Sequence, residues 1–75
     1  MKFKIGDRVI CVQSDLQLEF LHLSGKVIRM SDSRLVVEFD RFIDRTKVWS
    51  IPADLMEIEQ EYLNTQEMKK LLGVN

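Results

Sequence analysis

His22 is the only histidine of this 75-residue chain, and Cys11 is its only cysteine. A nucleophile needs a base beside it and a structural zinc needs four ligands, so one copy can build neither a His-paired nucleophile nor a zinc centre of two ligand pairs. Carboxylates are plentiful, with Asp40 near Asp44 and Glu57 near Glu59. Such pairs act as acid and base only in a desolvated cleft that drives their pKa values apart, and here they read as solvated charge. Gly6, Gly25 and Gly73 stand too far apart for a loop that cradles phosphate. The expectation is a protein that is not an enzyme and carries no cofactor and no metal.

Binding chemistry is concentrated in Asp40-Arg41-Phe42-Ile43-Asp44-Arg45-Thr46-Lys47-Val48-Trp49, where basic residues alternate with bulky apolar ones. Two readings fit it. In one, Phe42 and Ile43 fold back over an open end of the core while Arg41, Arg45 and Lys47 are ordinary solvated charges. In the other, Arg41, Phe42, Ile43, Arg45, Lys47 and Trp49 form a partner-binding surface, because aromatic and Arg side chains are the types that anchor interfaces.

The 11 Lys and Arg balance 12 Asp and Glu to a net charge of -1, with 45% of residues apolar and 31% charged. A chain this short builds one small domain with a core of roughly a dozen side chains. Its balance is not that of a protein that grips nucleic acid mainly by neutralising phosphates, so any such binding must be local. Residues 51–75 hold five acidic residues against Lys69 and Lys70, which leaves the preceding part slightly positive. A modest basic patch of Lys26, Arg29, Arg34, Arg41, Arg45 and Lys47 follows from that asymmetry. No run approaches the ~20 apolar residues of a membrane span. The opening Met1-Lys2-Phe3-Lys4-Ile5-Gly6-Asp7 loses its hydrophobicity at once, where a secretory signal would continue. With a single thiol in an apolar setting, the expected compartment is the cytoplasm.

Elements that could position these residues follow from periodicity. Val9-Ile10-Cys11-Val12, opened by Gly6-Asp7, reads as a strand buried on both faces. Leu16, Leu18 and Phe20 alternate with Gln17 and Glu19 in an irregular strand or long excursion that Ser24-Gly25 ends. Lys26–Met30 and Arg34–Asp40 flank Ser31-Asp32-Ser33 as a hairpin, with Leu35, Val37 and Phe39 directed inward. After a loop around Arg41 to Arg45, Thr46–Ile51 forms a strand that stops at Pro52. Pro52-Ala53-Asp54-Leu55 reads as a single helical turn. Residues 53–63 are ambiguous: Met56 to Gln60 alternates like a strand, yet Ile51, Leu55, Ile58 and Tyr62 also share a helical stripe. The strand is favoured, and a terminal helix is expected from Asn64, capped by Asn64 with Glu67 and ended by Gly73.

Five short strands, a long first connection and a one-turn helix before the last strand give the order of an SH3-like small barrel. Phe3-Lys4-Ile5-Gly6-Asp7-Arg8-Val9 resembles the K-x-G-D-x-V opening of KOW-type domains, of the PsaE-like photosystem subunit and of many small bacterial and phage proteins. Gly25-Lys26-Val27 resembles the G-x-V that starts their second strand, and Ile51-Pro52-Ala53-Asp54-Leu55-Met56-Glu57-Ile58 looks like their closing turn and strand. The resemblance implies a mainly β fold, a five-stranded SH3-like barrel over residues 1–60 with a helical extension over residues 61–75. Such barrels serve many functions, so function has to be argued from the site.

The expected role is a non-catalytic module that binds another protein, as a small bacterial or phage accessory or inhibitory factor. The alternative is an RNA- or DNA-binding KOW-like domain, with Phe42 or Trp49 as a stacking platform. Self-association is a separate expectation, because Met68, Leu71 and Leu72 form an apolar stripe on a helix attached to a small core.

Overall fold

Gly6 turns the chain into its first strand with φ 98°, a backbone conformation that costs other residues strain. Asp7 closes this turn: its carboxylate accepts from the Lys4 N–H at 2.9 Å and its own N–H donates to the Lys4 carbonyl at 3.0 Å. Both roles follow from the Gly-Asp pair read in the sequence.

The computed structural model describes residues 2–13 and 18–71. Five strands follow in chain order: β1 (Arg8–Cys11), β2 (Ser24–Met30), β3 (Arg34–Ile43), β4 (Thr46–Pro52) and β5 (Met56–Ile58). They form one antiparallel sheet in the order β4-β3-β2-β1-β5. A helix, α1 (Glu59–Leu71), follows β5 directly. Single 3-10 turns lie at Leu18–Phe20 and Ala53–Leu55, the second at the expected helical turn after Pro52. The chain is therefore mainly β with one C-terminal helix. The sheet runs from β4 to β5 as an open series.

Alternation in β3 places Leu35, Val37 and Phe39 inward, and these three are essentially inaccessible. Val9 and Cys11 of β1, Val27 of β2, Ile51 of β4 and Met56 complete the core together with Phe3, Phe20 and Ile43. Ile10 is buried as well, on the opposite face of β1, and α1 lies against β1 and β5. The reading of β1 as a strand buried on both faces thus has its cause in the helix. Among the described residues, no polar or charged side chain is buried.

Two boundaries differ most from those read in the sequence. The expected loop around Arg41 to Arg45 is mostly strand: β3 continues through Ile43, and only Asp44 and Arg45 separate it from β4. Asp44 takes φ 63°, the left-handed conformation a two-residue hairpin demands and one that Asp tolerates better than most residues. The register is regular to Glu38↔Val48, then irregular until Ile43↔Thr46. The terminal helix starts at Glu59 and not at Asn64. Asn64 sits inside the helix and accepts a hydrogen bond from the Gln60 side-chain amide at 3.0 Å, so it is no cap. Glu59 and Glu61 occupy the first turn, where carboxylates complement the helix dipole. The ambiguity over residues 53–63 resolves into a short strand followed at once by helix. Residues 14–17, with the start of the Leu16 alternation, and Leu72 and Gly73 lie outside the described residues.

Candidate partner-binding surface

The β3–β4 hairpin holds all six residues of the expected partner surface, and it divides them. Phe42 is 61% exposed, which is unusual for a benzyl side chain and the largest departure from apolar burial in this hairpin. Ile43, its neighbour, points the other way: it is 5% exposed and part of the core, so its side chain contributes nothing to the surface. One of the two residues thus folds back and the other does not. Arg41 and Arg45 are exposed, and Lys47 and Trp49 are half-buried.

Lys47 reaches over Phe42, with its ammonium nitrogen 5.2 Å from the ring centroid, a cation–π distance. Trp49 is anchored on two sides. Its ring meets Phe20 edge-on with centroids 5.2 Å apart, and Phe20 in turn packs on Phe39 at 5.6 Å. Its indole N–H donates to the Thr46 carbonyl at 3.2 Å. With one edge on the core and its only donor used, Trp49 is held in a fixed position on β4. Val48 is an apolar residue of β4, 40% exposed, that the sequence reading did not single out. Alternation along β4 could have found it, since Val48 falls opposite in phase to Trp49 and Ile51.

Between Arg41 and Lys47 there are three cations and one anion, Asp44. Asp40, just before them, belongs to another group of charges. Both of its oxygens accept from Arg8, at 2.7 and 2.6 Å, and Arg8 Nε also donates to Glu59 at 3.4 Å. The hydrogen bonds from Arg8 hold the Asp40 carboxyl below its ordinary range, its positive charge adds to this, and Lys47 contributes a smaller attraction. The same contact raises the pKa of Arg8. The hairpin tip consequently keeps a local positive excess, with Asp40 already paired. The broader basic patch is less available, because Arg34 is engaged with Ser50 and Lys26 stands in register between Arg8 and Glu38.

Cys11 behaves as a core residue. It is 1% exposed, burial pushes its thiol pKa up, and its Sγ donates to the Gln13 carbonyl at 3.0 Å. At the opposite end of β3, a concavity of about 560 Å³ is lined by Lys2, Asp32, Asp54 and Glu57 beside Phe3 and Met56. Among the described residues, no group of three or more His, Cys, Asp or Glu is placed to hold a metal, and no helix is long and apolar enough to cross a membrane. On α1, Met68 is 58% and Leu63 49% exposed. Compared with known proteins, the chain matches no family model and no curated protein.

Proposed function

We propose that this chain is a cytoplasmic, SH3-like, non-catalytic module of the bacterial or phage accessory type, which binds another protein through the tip of its β3–β4 hairpin. The observation that carries the reading is Phe42, held 61% exposed with Lys47 5.2 Å above its ring. A large apolar group kept in water on a strand is a cost to the isolated domain and an asset at an interface, where buried aromatic and Arg side chains carry most of the affinity. The strand order and the helical turn between β4 and β5 support the SH3-like part of the reading.

The tip offers side chains that grip and few that react. Arg41, Arg45 and Lys47 favour an acidic partner segment, and Phe42 and Val48 favour an apolar residue within it. The test is capture from a bacterial extract on the immobilised chain, with Phe42→Ala and Arg45→Ala beside it. A retained protein whose affinity falls about tenfold or more in Phe42→Ala is the expected result, the size typical of an interface anchor. Loss of nothing in either variant, or retention of no protein, overturns the proposal. Retention that nuclease abolishes and salt weakens steeply would assign the tip to RNA or DNA instead.

A further inference from the structure

An edge strand presents a row of main-chain donors and acceptors on which another strand can add. Among the described residues β4 is such an edge, since it pairs there with β3 alone. Which of its groups face outward can be read from the ladder. The Ala53 N–H donates to the Ser33 carbonyl at 2.8 Å, and the register continues regularly from Arg34↔Pro52 to Glu38↔Val48. Antiparallel pairs alternate between bonded and non-bonded, so Val48, Ser50 and Pro52 turn their main-chain groups away from β3.

Each of these three positions is blunted. The Val48 N–H donates to the Thr46 hydroxyl at 3.1 Å. The Ser50 carbonyl accepts from Arg34 Nη2 at 2.8 Å, while Arg34 Nε donates to the Ser50 hydroxyl at 2.9 Å, which fixes the guanidinium by two points. Pro52 has no N–H to offer.

We propose that these side chains close the β4 edge against strand addition, and that removing them opens a surface on which a second copy of this chain pairs, β4 against β4. The second copy is the fitting occupant because an antiparallel strand pair about a two-fold axis is self-complementary: each residue meets in its twin the register that it offers. The inference holds whether or not the hairpin tip binds a partner.

The test compares the full chain with the double variant Thr46→Val/Arg34→Ala by analytical ultracentrifugation over a concentration series, with amide hydrogen exchange read at Val48 and Ser50. The variant should self-associate at least about tenfold more tightly than the parent, the gain expected from two or more added main-chain hydrogen bonds. Protection at Val48 and Ser50 should rise with concentration in the variant and stay constant in the parent. Adding Val48→Pro should abolish the gain, because that N–H does not serve the β3 ladder. A folded double variant that associates no more than the parent overturns the proposal, and so does a gain that survives Val48→Pro. If the double variant does not fold, Thr46→Val alone, which removes one exposed hydroxyl, carries the same comparison with the same two outcomes.

Discussion

Gly25 pairs with Phe39 across β2 and β3 at a point where the strands leave no room for a side chain. A Cβ built there would lie 2.6 Å from the Glu38 carbonyl oxygen and 2.7 Å from both Phe39 Cα and Val37 Cγ1. Two of those three atoms are main chain and cannot swing aside. Gly25→Ala should therefore cost about 1–3 kcal/mol, the range for forcing extra volume into a packed core, read as a lower urea midpoint. An unchanged midpoint would mean that β2 and β3 are not this close. The G-x-V resemblance marked this position as a strand start, but its reason is the approach of β3, which no local pattern contains. Gly6 is the contrast: its φ 98° serves a turn within four residues, and the adjacent Asp7 makes that turn readable from sequence. Phe42 and Ile43 show the same division. Their types announced a special segment, whereas the residue that enters the core depends on the irregular register between Glu38 and Ile43.

At the level of elements, strands with strict alternation were legible, and those whose limits depend on partners were not. The β2–β3 hairpin came through because Ser31-Asp32-Ser33 separates two runs of period two. The end of β3 did not, because Arg41-Phe42-Ile43 looks like a loop and Asp44-Arg45 lacks the glycine that usually advertises a two-residue turn. For α1, Asn64 and Glu67 made a persuasive local start signal. The chain begins the helix five residues earlier, where Glu59 reaches Arg8 and Tyr62 comes within 3.4 Å of His22. Beyond Tyr62, residues 63–70 are all exposed, and helices of this length have little stability of their own. Amide exchange should accordingly be slowest at the first amides bonded within the helix, near Leu63, and speed up toward Lys70 in dilute solution. If the expected self-association through Met68, Leu71 and Leu72 takes place, protection beyond Tyr62 and the mass from light scattering will rise together with concentration. A monomer at every concentration removes the self-association, and uniform strong protection in the monomer removes the picture of a helix docked by its first turn. The Leu71 side chain and all of Leu72 lie outside the described residues, so Met68, 58% exposed, is the residue of that stripe whose surroundings are defined.

For the whole molecule, one guanidinium ties together parts of the chain that no sequence window spans. Arg8 of β1 holds Asp40 of β3, 32 residues away, and Glu59 of α1, 51 residues away. Nothing near Arg8 in sequence foretells either partner, since both distances arise from sheet order and helix placement. The group gives stability a definite pH dependence. Asp40 has a lower pKa folded than unfolded, so its contribution is present above the unfolded value, about 3.9 for an aspartate, and disappears as pH falls through the folded one. Arg8 is shifted upward, so it stays charged throughout the acid and neutral range and its own titration would weaken the pair only in strong alkali. Acid is thus the limb on which the clasp can be seen. Asp40 and Arg8 are each about half exposed, so water and salt screen the pair and its worth should be about 0.5–1 kcal/mol, the upper part of the range for surface pairs, because the contact is bidentate. Urea unfolding of the parent and of Asp40→Asn at about pH 6.5 should differ by that amount, and the difference should shrink as pH falls below the unfolded aspartate value of about 3.9. A difference that persists undiminished in acid would show that the variant has lost packing or hydrogen bonding unrelated to charge. Equal stability at neutral pH would show that the clasp orients Asp40 without stabilising the fold.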